Sequence, residues 1–293
     1  MPRSVTRRPP HHRRPSKWIK LSNSRRVFFT AQVFDDKAKF LTGDNATGGP
    51  VALSSQQFFI GINDPLGGNP TETSFTSSIF NIFQSWLNAG SREDHGQGTP
   101  MASEDSLGRV NITDAWRYSE HERNRVNERR RSVARGEEVF NIKGFAITGV
   151  AGLNEPGLER VDGFCGTCHD APNVGNHSVK LPIDIGVPDA GDKKPPVLDI
   201  AGLPVFTLKC TQGPLAGKIY QVTDLGKAMI TGKCADIGLF KGPILRGLAA
   251  RAPYFHNGSA GNLRDVVEFY DQRFNIGFTK REKTDLVNFL NTL

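Results

Sequence analysis

Five consecutive residues constrain this 293-residue chain more than any other feature: Cys165-Gly166-Thr167-Cys168-His169. They match the C-x-x-C-H pattern through which a c-type haem is attached to protein. Two thiols separated by two residues lie on one short turn, where both can form thioethers with the edge of one porphyrin. The imidazole of the next residue can then reach the iron. The motif predicts one covalent haem c, held by Cys165, Cys168 and His169.

Other interpretations of the motif remain open from the residues alone. A zinc site needs a second close pair of ligands, and the remaining cysteines, Cys210 and Cys234, are far apart in the sequence. A thioredoxin-like redox pair needs a strand before the motif and a helix after it, which the glycines around this motif do not favour. The third alternative is a structural cysteine pair beside a histidine. Haem attachment is the interpretation that we favour over all three.

Cys210 and Cys234 have two interpretations of their own. In an oxidising compartment they can pair and close the loop between them. As free thiols they would be small core residues. We favour the disulfide.

Beyond the motif, residues from about 28 to 293 resemble the C-terminal half of the bacterial di-haem cytochrome c peroxidases, a family that includes the MauG-like proteins. The resemblance is sharpest in three stretches, which are 163–169, 240–246 and 252–259 followed by 263–270. It implies a mainly α fold of c-type cytochrome domains, each holding one haem. The resemblance alone also suggests calcium as a second metal.

The chain departs from this family in one important respect. The family has two C-x-x-C-H motifs, and this chain has one. The motif present here corresponds to the electron-transfer haem, whereas the peroxide-reacting haem of the family is the N-terminal one. The resemblance therefore does not by itself carry peroxidase activity over to this chain.

The sixth ligand of the iron would set its potential and reactivity. The candidates are Tyr270, Met229, His256 and His177. A thioether from Met229 would suit an electron carrier, but the resemblance places the ligand at Tyr270. Helical periodicity puts Tyr270 on the inward face of its helix, where it is either a ligand or a core tyrosine.

Two further residues are candidate contacts of the haem. Arg246 is expected to neutralise a haem propionate, because a guanidinium group binds carboxylates in a bidentate manner. We expect His256 to organise the haem pocket rather than to bind iron, and His177 to lie in a loop at the haem edge. The predicted cofactor contacts are thus Cys165, Cys168, His169, Arg246 and His256, with His169 and Tyr270 on the metal.

The net charge of +7 belongs to the N-terminus. Residues 1–26 contain nine Lys or Arg residues and no Asp or Glu, which leaves 7 − 9 = −2 for residues 27–293. A body with this charge does not favour nucleic acid as a partner. The segment also lacks the apolar run of a secretion signal, although haem c attachment predicts a periplasmic protein. We therefore expect residues 1–27 to be disordered or not to be the natural start.

The pattern of apolar residues predicts three parts and a mainly α fold. Residues 28–131 are expected to be a loop-rich remnant of an N-terminal domain, with short aromatic islands and a charged, exposed linker helix over 117–138. This segment either packs on the C-terminal domain or derives from something larger. Residues 132–293 are expected to form a cytochrome c domain with long loops. Its last two helices are predicted from an Asn262 cap and from a capping box at Thr279 to Glu282.

These features predict a c-type cytochrome that carries one haem and transfers single electrons. The electron donor is expected to be a small redox protein or a quinol-linked carrier. No segment is apolar enough to span a membrane. One alternative is a haem-dependent peroxidase or MauG-like oxidase acting on hydrogen peroxide, which needs an open iron position or a second haem. The other is a zinc-binding module without redox function.

Overall fold

The computed structural model describes residues 32–49, 79–90, 101–104, 110–113, 119–169, 182–243 and 245–293, the two segments 101–104 and 110–113 by their backbone only. The α-helices are α1 (Glu120–Ile142), α2 (Cys165–Cys168), α3 (Ala228–Thr231), α4 (Leu263–Phe274) and α5 (Lys280–Leu290). The strands form antiparallel hairpins: β1 (Phe34–Asp35) with β2 (Lys39–Phe40), β3 (Met101–Glu104) with β4 (Val110–Thr113), β5 (Phe145–Thr148) with β6 (Arg160–Gly163), and β7 (Phe206–Lys209) with β8 (Ile219–Val222). Within these ranges no helix is long and apolar enough to cross a membrane.

Helix α1 begins at a capping box that was not predicted from the sequence. The Ser119 side chain accepts from the backbone N–H of Glu122, and the Glu122 carboxylate accepts from the backbone N–H of Ser119. The helix then continues without interruption through residues 131 and 132, where the domain boundary was predicted. The expectation of an exposed helix is wrong for its second half, because Val133, Ala134 and Glu137 are buried there. The division into domains stays a prediction.

The second half of α1 is buried because α5 crosses it at very short range. A Cβ atom on Gly136 would lie 2.0 Å from the backbone oxygen of Asp285 and 2.7 Å from Cβ of Phe289. The buried Asp285 carboxylate accepts from Ser132 Oγ at 2.5 Å and from Arg135 Nε at 2.7 Å. A glycine at the crossing thus lets the helices approach, and an ion pair fixes their register.

The predicted caps of α4 and α5 are confirmed. The Asn262 side chain accepts from the backbone N–H groups of Arg264 and Asp265, which closes the first turn of α4. Thr279 and Glu282 form the reciprocal capping box of α5. The inner stripe that periodicity predicted on α5 is buried throughout: Leu286, Phe289, Leu290 and Leu293.

Residues from the N-terminal segment share the core of these helices. Phe80 stacks edge-on against Phe140 and Phe289, with ring centroids 5.1 and 5.4 Å apart. One of the predicted aromatic islands forms a 3₁₀ helix, Gln84–Asn88, which buries Trp86. The expectation that this segment packs on the C-terminal part is confirmed for the described residues 79–90.

Cys210 and Cys234 form a disulfide, as we favoured from the sequence. Their Cα atoms lie 6.0 Å apart, which is within the ordinary range for such a bridge. The bridge ties the end of β7 to the turn that follows α3.

Candidate functional site

The C-x-x-C-H motif forms a single helical turn directly after β6. The backbone N–H of Phe164 donates to Thr167 Oγ1 at 2.9 Å, and the backbone N–H of His169 donates to the carbonyl of Cys165 at 3.1 Å. Thr167 itself is buried against Gly163, which leaves no room for a side chain at residue 163. This local network turns Cys165, Cys168 and His169 toward one cavity.

The cavity has a volume of about 410 Å³, a size typical of small-molecule and cofactor sites. All four residues predicted around the iron from the motif and the resemblance line its wall: Cys165, Cys168, His169 and Tyr270. The rest of the wall is mainly apolar, with residues drawn from α1, β5, α4, α5 and the loops 183–188 and 238–256. Among them are Phe140, Ile147, Phe164, Val187, Phe240, Leu245, Val266, Val267, Phe274 and Leu290. The site is therefore a desolvated pocket with a few functional side chains.

His169 is the most strongly perturbed base in this wall. Burial lowers the pKa of His169 to about 4, and the backbone carbonyl of Pro243, which faces the imidazole, opposes this shift. Its Nδ1 atom is buried and has no hydrogen bond of good geometry. The imidazole is therefore neutral at physiological pH, which is the form that binds metals.

The two cysteines of the motif are thiols in the same wall. Neither is part of a disulfide. Burial, and secondarily the neighbouring Cys168, raise the pKa of Cys165 to about 12. Thiol–disulfide chemistry requires a thiolate, so this environment argues against the thioredoxin-like alternative.

Tyr270 reaches the cavity from α4, on the face predicted from periodicity. Its ring packs between Phe269 and Phe274, with centroids 5.5 and 6.2 Å away. Burial raises the pKa of Tyr270, and the Cys168 and Cys165 thiols raise it further. The phenol is consequently neutral and lies close to both motif cysteines.

Two of the three other proposed sixth ligands, Met229 and His256, lie within the described residues. Met229 is 70% exposed on α3 and does not line the cavity. His177 lies outside the described residues. His256 lines the wall, where its ring stacks on Phe240 at 3.6 Å. Burial lowers the pKa of His256, while Asp224, 4.0 Å from its Nε2, opposes the shift.

Two cations other than the predicted Arg246 line the cavity, and the contact of Arg246 with a haem propionate stays a prediction. Arg246 is buried but is not part of the cavity wall, whereas Arg251 and Lys241 are. Burial lowers the pKa of Arg246, and the charge of Arg251 lowers it further. Arg246 therefore lies close enough to Arg251 to sense its charge. Lys241 lies within the stretch 240–246 that carried the resemblance, and Arg251 directly precedes the stretch 252–259. Neither has a local pattern that marks it as a wall residue.

Asp184 is an acidic wall residue that was not predicted from the sequence either. Burial raises the pKa of Asp184 to about 6, against the hydrogen bond that its carboxylate accepts from the backbone N–H of Gly186. The charges of Asp189, Arg273 and Lys193 act on it more weakly. The wall thus contains one carboxyl group that titrates near neutrality.

Comparison with known proteins relates part of this chain to cytochrome c peroxidases. The chain is 31% identical over 146 residues to cytochrome c551 peroxidase of Nitrosomonas europaea, a match that covers 48% of this chain and 35% of that protein. It is 34% identical over 140 residues to cytochrome-c peroxidase IdrP2 of Denitromonas iodatirespirans, covering 45% of this chain and 36% of the relative. The chain is a distant homologue of proteins named cytochrome c peroxidases. It spans about a third of the length of these curated relatives.

The remaining comparisons add little. No family model matches the chain. A MauG-like protein associated with microbial copper homeostasis shares 22% identity and a TM-score of 0.34 over 55% of this chain and 43% of its own length. That likeness is too weak to support an argument about the fold.

The structure bears on one form of the zinc alternative, a site built from four cysteines. Two of the four cysteines are joined in the Cys210–Cys234 disulfide and cannot complete a four-cysteine site. Within the described ranges, no group of three or more His, Cys, Asp or Glu residues is arranged to hold a metal ion. A zinc site built on all four cysteines is therefore excluded.

Proposed function

We propose that this chain is a c-type cytochrome that carries one covalently attached haem and transfers single electrons. The observation that carries the proposal is the convergence of Cys165, Cys168, His169 and Tyr270 on the wall of one apolar cavity. The first three are adjacent in the sequence, but Tyr270 comes from a helix about a hundred residues later. The homology to cytochrome c peroxidases supports haem as the group for which this cavity is built.

The residues of the cavity fit a haem. The apolar wall suits the porphyrin ring, and the two thiols of one turn suit thioether attachment. The Nδ1 atom of His169 is buried, and the backbone carbonyl of Pro243 lies close enough to the imidazole to raise its pKa. Histidine ligands of metals commonly orient their second nitrogen toward such a carbonyl. Lys241 and Arg251 are the cations available for the propionates.

The residues of the chain would divide the work as follows. His169 would bind the iron through its neutral imidazole, and Cys165 and Cys168 would hold the ring. Tyr270 would be the sixth ligand or would close the position next to it with a neutral hydroxyl group. A bound haem c supplies one-electron chemistry at iron, and the apolar wall excludes water from it.

The second candidate is a peroxidase or MauG-like oxidase, and the names of the relatives favour it. Peroxide chemistry requires an iron position that is open to the substrate, or a second haem from another source. Tyr270 in the cavity wall argues for an occupied or shielded position. The two candidates therefore differ in the coordination of the iron.

We further propose that the protein functions in the periplasm, because haem c is attached outside the cytoplasm. The electron donor would be a small redox protein or a quinol-linked carrier. Calcium stays a suggestion from the family resemblance.

The test is to export the chain in a host with a haem c maturation system. We expect the denatured protein to keep its colour and to gain the mass of one haem, while the Cys165→Ala/Cys168→Ala variant gains none. A colourless product with two alkylatable thiols in the motif would refute the proposal. A six-coordinate spectrum without peroxide turnover would favour the electron carrier, and a five-coordinate spectrum with turnover would favour the peroxidase.

A further inference from the structure

The turn that carries the two motif cysteines rests on Ile79, a residue 86 positions earlier in the chain. Ile79 is buried, and a Cβ atom on Gly166 would lie 2.4 Å from its Cγ1 atom. Gly166 is the first of the two residues between the cysteines. The side chain of Ile79 therefore fills the space behind the motif and fixes how close the turn can come to the core.

Ile79 is held in place by polar groups of α1. The Asn141 Oδ1 atom accepts from the backbone N–H groups of Ile79 and Phe80 at 3.1 and 3.2 Å. The Nδ2 atom of the same side chain donates to the carbonyl of Phe80 at 2.7 Å. One side chain thus satisfies three backbone groups of the segment.

A second polar residue extends this anchor by one helical turn. The Glu137 carboxylate accepts from the backbone N–H groups of Ile82 and Phe83. Glu137 and Asn141 are four residues apart, so they lie on the same face of α1. Together they bind the backbone of residues 79–83 at both ends, and we name these five residues the docked segment.

These two polar residues are costly choices for a buried helix face. Both are almost fully buried, and a buried polar group destabilises the fold unless its hydrogen bonds are satisfied. An apolar residue at either position would bury the same face but would leave backbone N–H groups of the docked segment without acceptors. What the polar residues add is a fixed register, because their bonds form only when the docked segment occupies one position.

We propose that Asn141 and Glu137 are positioning residues for haem attachment, which act through Ile79 on the turn Cys165–Cys168. The inference rests on the proposed haem function. Neither residue lines the cavity, so neither contacts the haem. Their effect is to keep the two thiols and the imidazole turned toward the cavity wall.

The first test uses the contact between Ile79 and Gly166. Gly166→Ala places a methyl group where Ile79 already lies, so we expect attached haem to fall at least about tenfold, the factor that corresponds to 1.4 kcal/mol. In the double variant Gly166→Ala/Ile79→Ala the space is restored, and we expect attachment to recover toward the wild-type level. Leu198→Ala is the control, since Leu198 is buried in the same core but does not line the cavity. Combined with Gly166→Ala it should give no recovery.

The second test uses Asn141 with a matched variant. Asn141→Ala should reduce haem attachment and change the absorption spectrum of the haem that is attached. Asn288→Ala removes a part-buried asparagine of α5 whose Nδ2 donates to Ser132 Oγ at 2.7 Å, far from the motif in sequence. It should leave both readouts at the wild-type values.

Three outcomes overturn the proposal: a double variant as poor as Gly166→Ala, equal rescue by Leu198→Ala, or equal spectral effects of the two asparagine variants. A wild-type chain that never takes up haem would instead refute the proposed function. In that case, the unfolding midpoints of the haem-free variants still test the contact between Ile79 and Gly166. We expect Gly166→Ala and Ile79→Ala to be strongly non-additive there, and additive midpoints would remove Ile79 as the support of the turn.

Discussion

Replacement of Gly136 by alanine adds one carbon atom and should lower the free energy of unfolding strongly. Gly136 lies where α1 and α5 cross, and its missing side chain allows the backbone of Asp285 to approach. A Cβ atom at this position would lie 2.0 Å from the Asp285 oxygen and 2.5 Å from its carbonyl carbon, against 3.4 Å for an ordinary contact. Because the obstructing atoms are backbone, the two helices must separate by about 1.4 Å in Gly136→Ala.

The cost follows from two opposing effects. Overpacking a core destabilises by about 1–3 kcal/mol, and more where backbone must move. Alanine recovers about 1 kcal/mol of helix propensity over glycine. The separation also breaks the bonds of Ser132 and Arg135 to Asp285. We expect a net destabilisation of about 2–3 kcal/mol, which corresponds to a midpoint lower by about 4–12 °C.

The assay is thermal unfolding followed by circular dichroism, with Gly202→Ala as the matched control. A Cβ atom on Gly202 would meet no other atom within 4 Å, so its replacement should leave the midpoint within a degree or two of wild type. A Gly136→Ala protein as stable as this control would show that the close crossing of α1 and α5 does not exist in solution.

Further predictions concern the anchor, the ligand and the disulfide. Burial raises the pKa of Glu137 to about 7 from 4.5. The stability that this carboxyl group gives to the haem-free chain is therefore fully present below pH 4.5 and is lost as the pH rises through 7. The total loss in the free energy of unfolding is about 3 kcal/mol. His169, with its pKa lowered to about 4, has the opposite effect, because it destabilises the chain as the pH falls below 6.5. The difference in the free energy of unfolding between wild type and Glu137→Gln, measured in urea titrations at several pH values, isolates the contribution of Glu137. A difference that does not change with pH would contradict the prediction. Tyr270→Phe should alter the resting absorption spectrum of the haem protein, and an unaltered spectrum removes Tyr270 as the ligand. Cys210→Ser/Cys234→Ser should lose about 3 kcal/mol, given the 24-residue separation; a urea midpoint equal to that of wild type would show that the bridge adds no stability.

The local part of this structure was predictable from the sequence, and the reason is the range of the interactions. The caps at Asn262 and Thr279 are formed by residues two or three positions apart, so the sequence contains all of their partners. The inward position of Tyr270 follows from the 3.6-residue period of a single helix. The disulfide was favoured because only one pair of cysteines remained outside the motif.

Long-range contacts account for what the sequence did not predict. Arg251 lines the cavity and Arg246 does not. The two arginines are five residues apart in one loop, and no local sequence pattern indicates which of them faces the cavity. The burial of α1 depends on a glycine meeting a helix 150 residues later. The role of Glu137 and Asn141 was hidden for the same reason, since a charged or polar residue in a charge-rich helix is expected to be exposed.

The wall of the cavity is assembled from segments that are far apart along the chain, from Phe140 on α1 to Leu290 on α5. Such contacts form only after the loop-closure entropy has been overcome. Proteins with many contacts between distant residues therefore fold slowly. The five motif residues, by contrast, are complete as soon as they are synthesised. The turn that they form nevertheless rests on Ile79, so under the proposed function the covalent modification of the thiols would follow the packing of the distant segments rather than precede it.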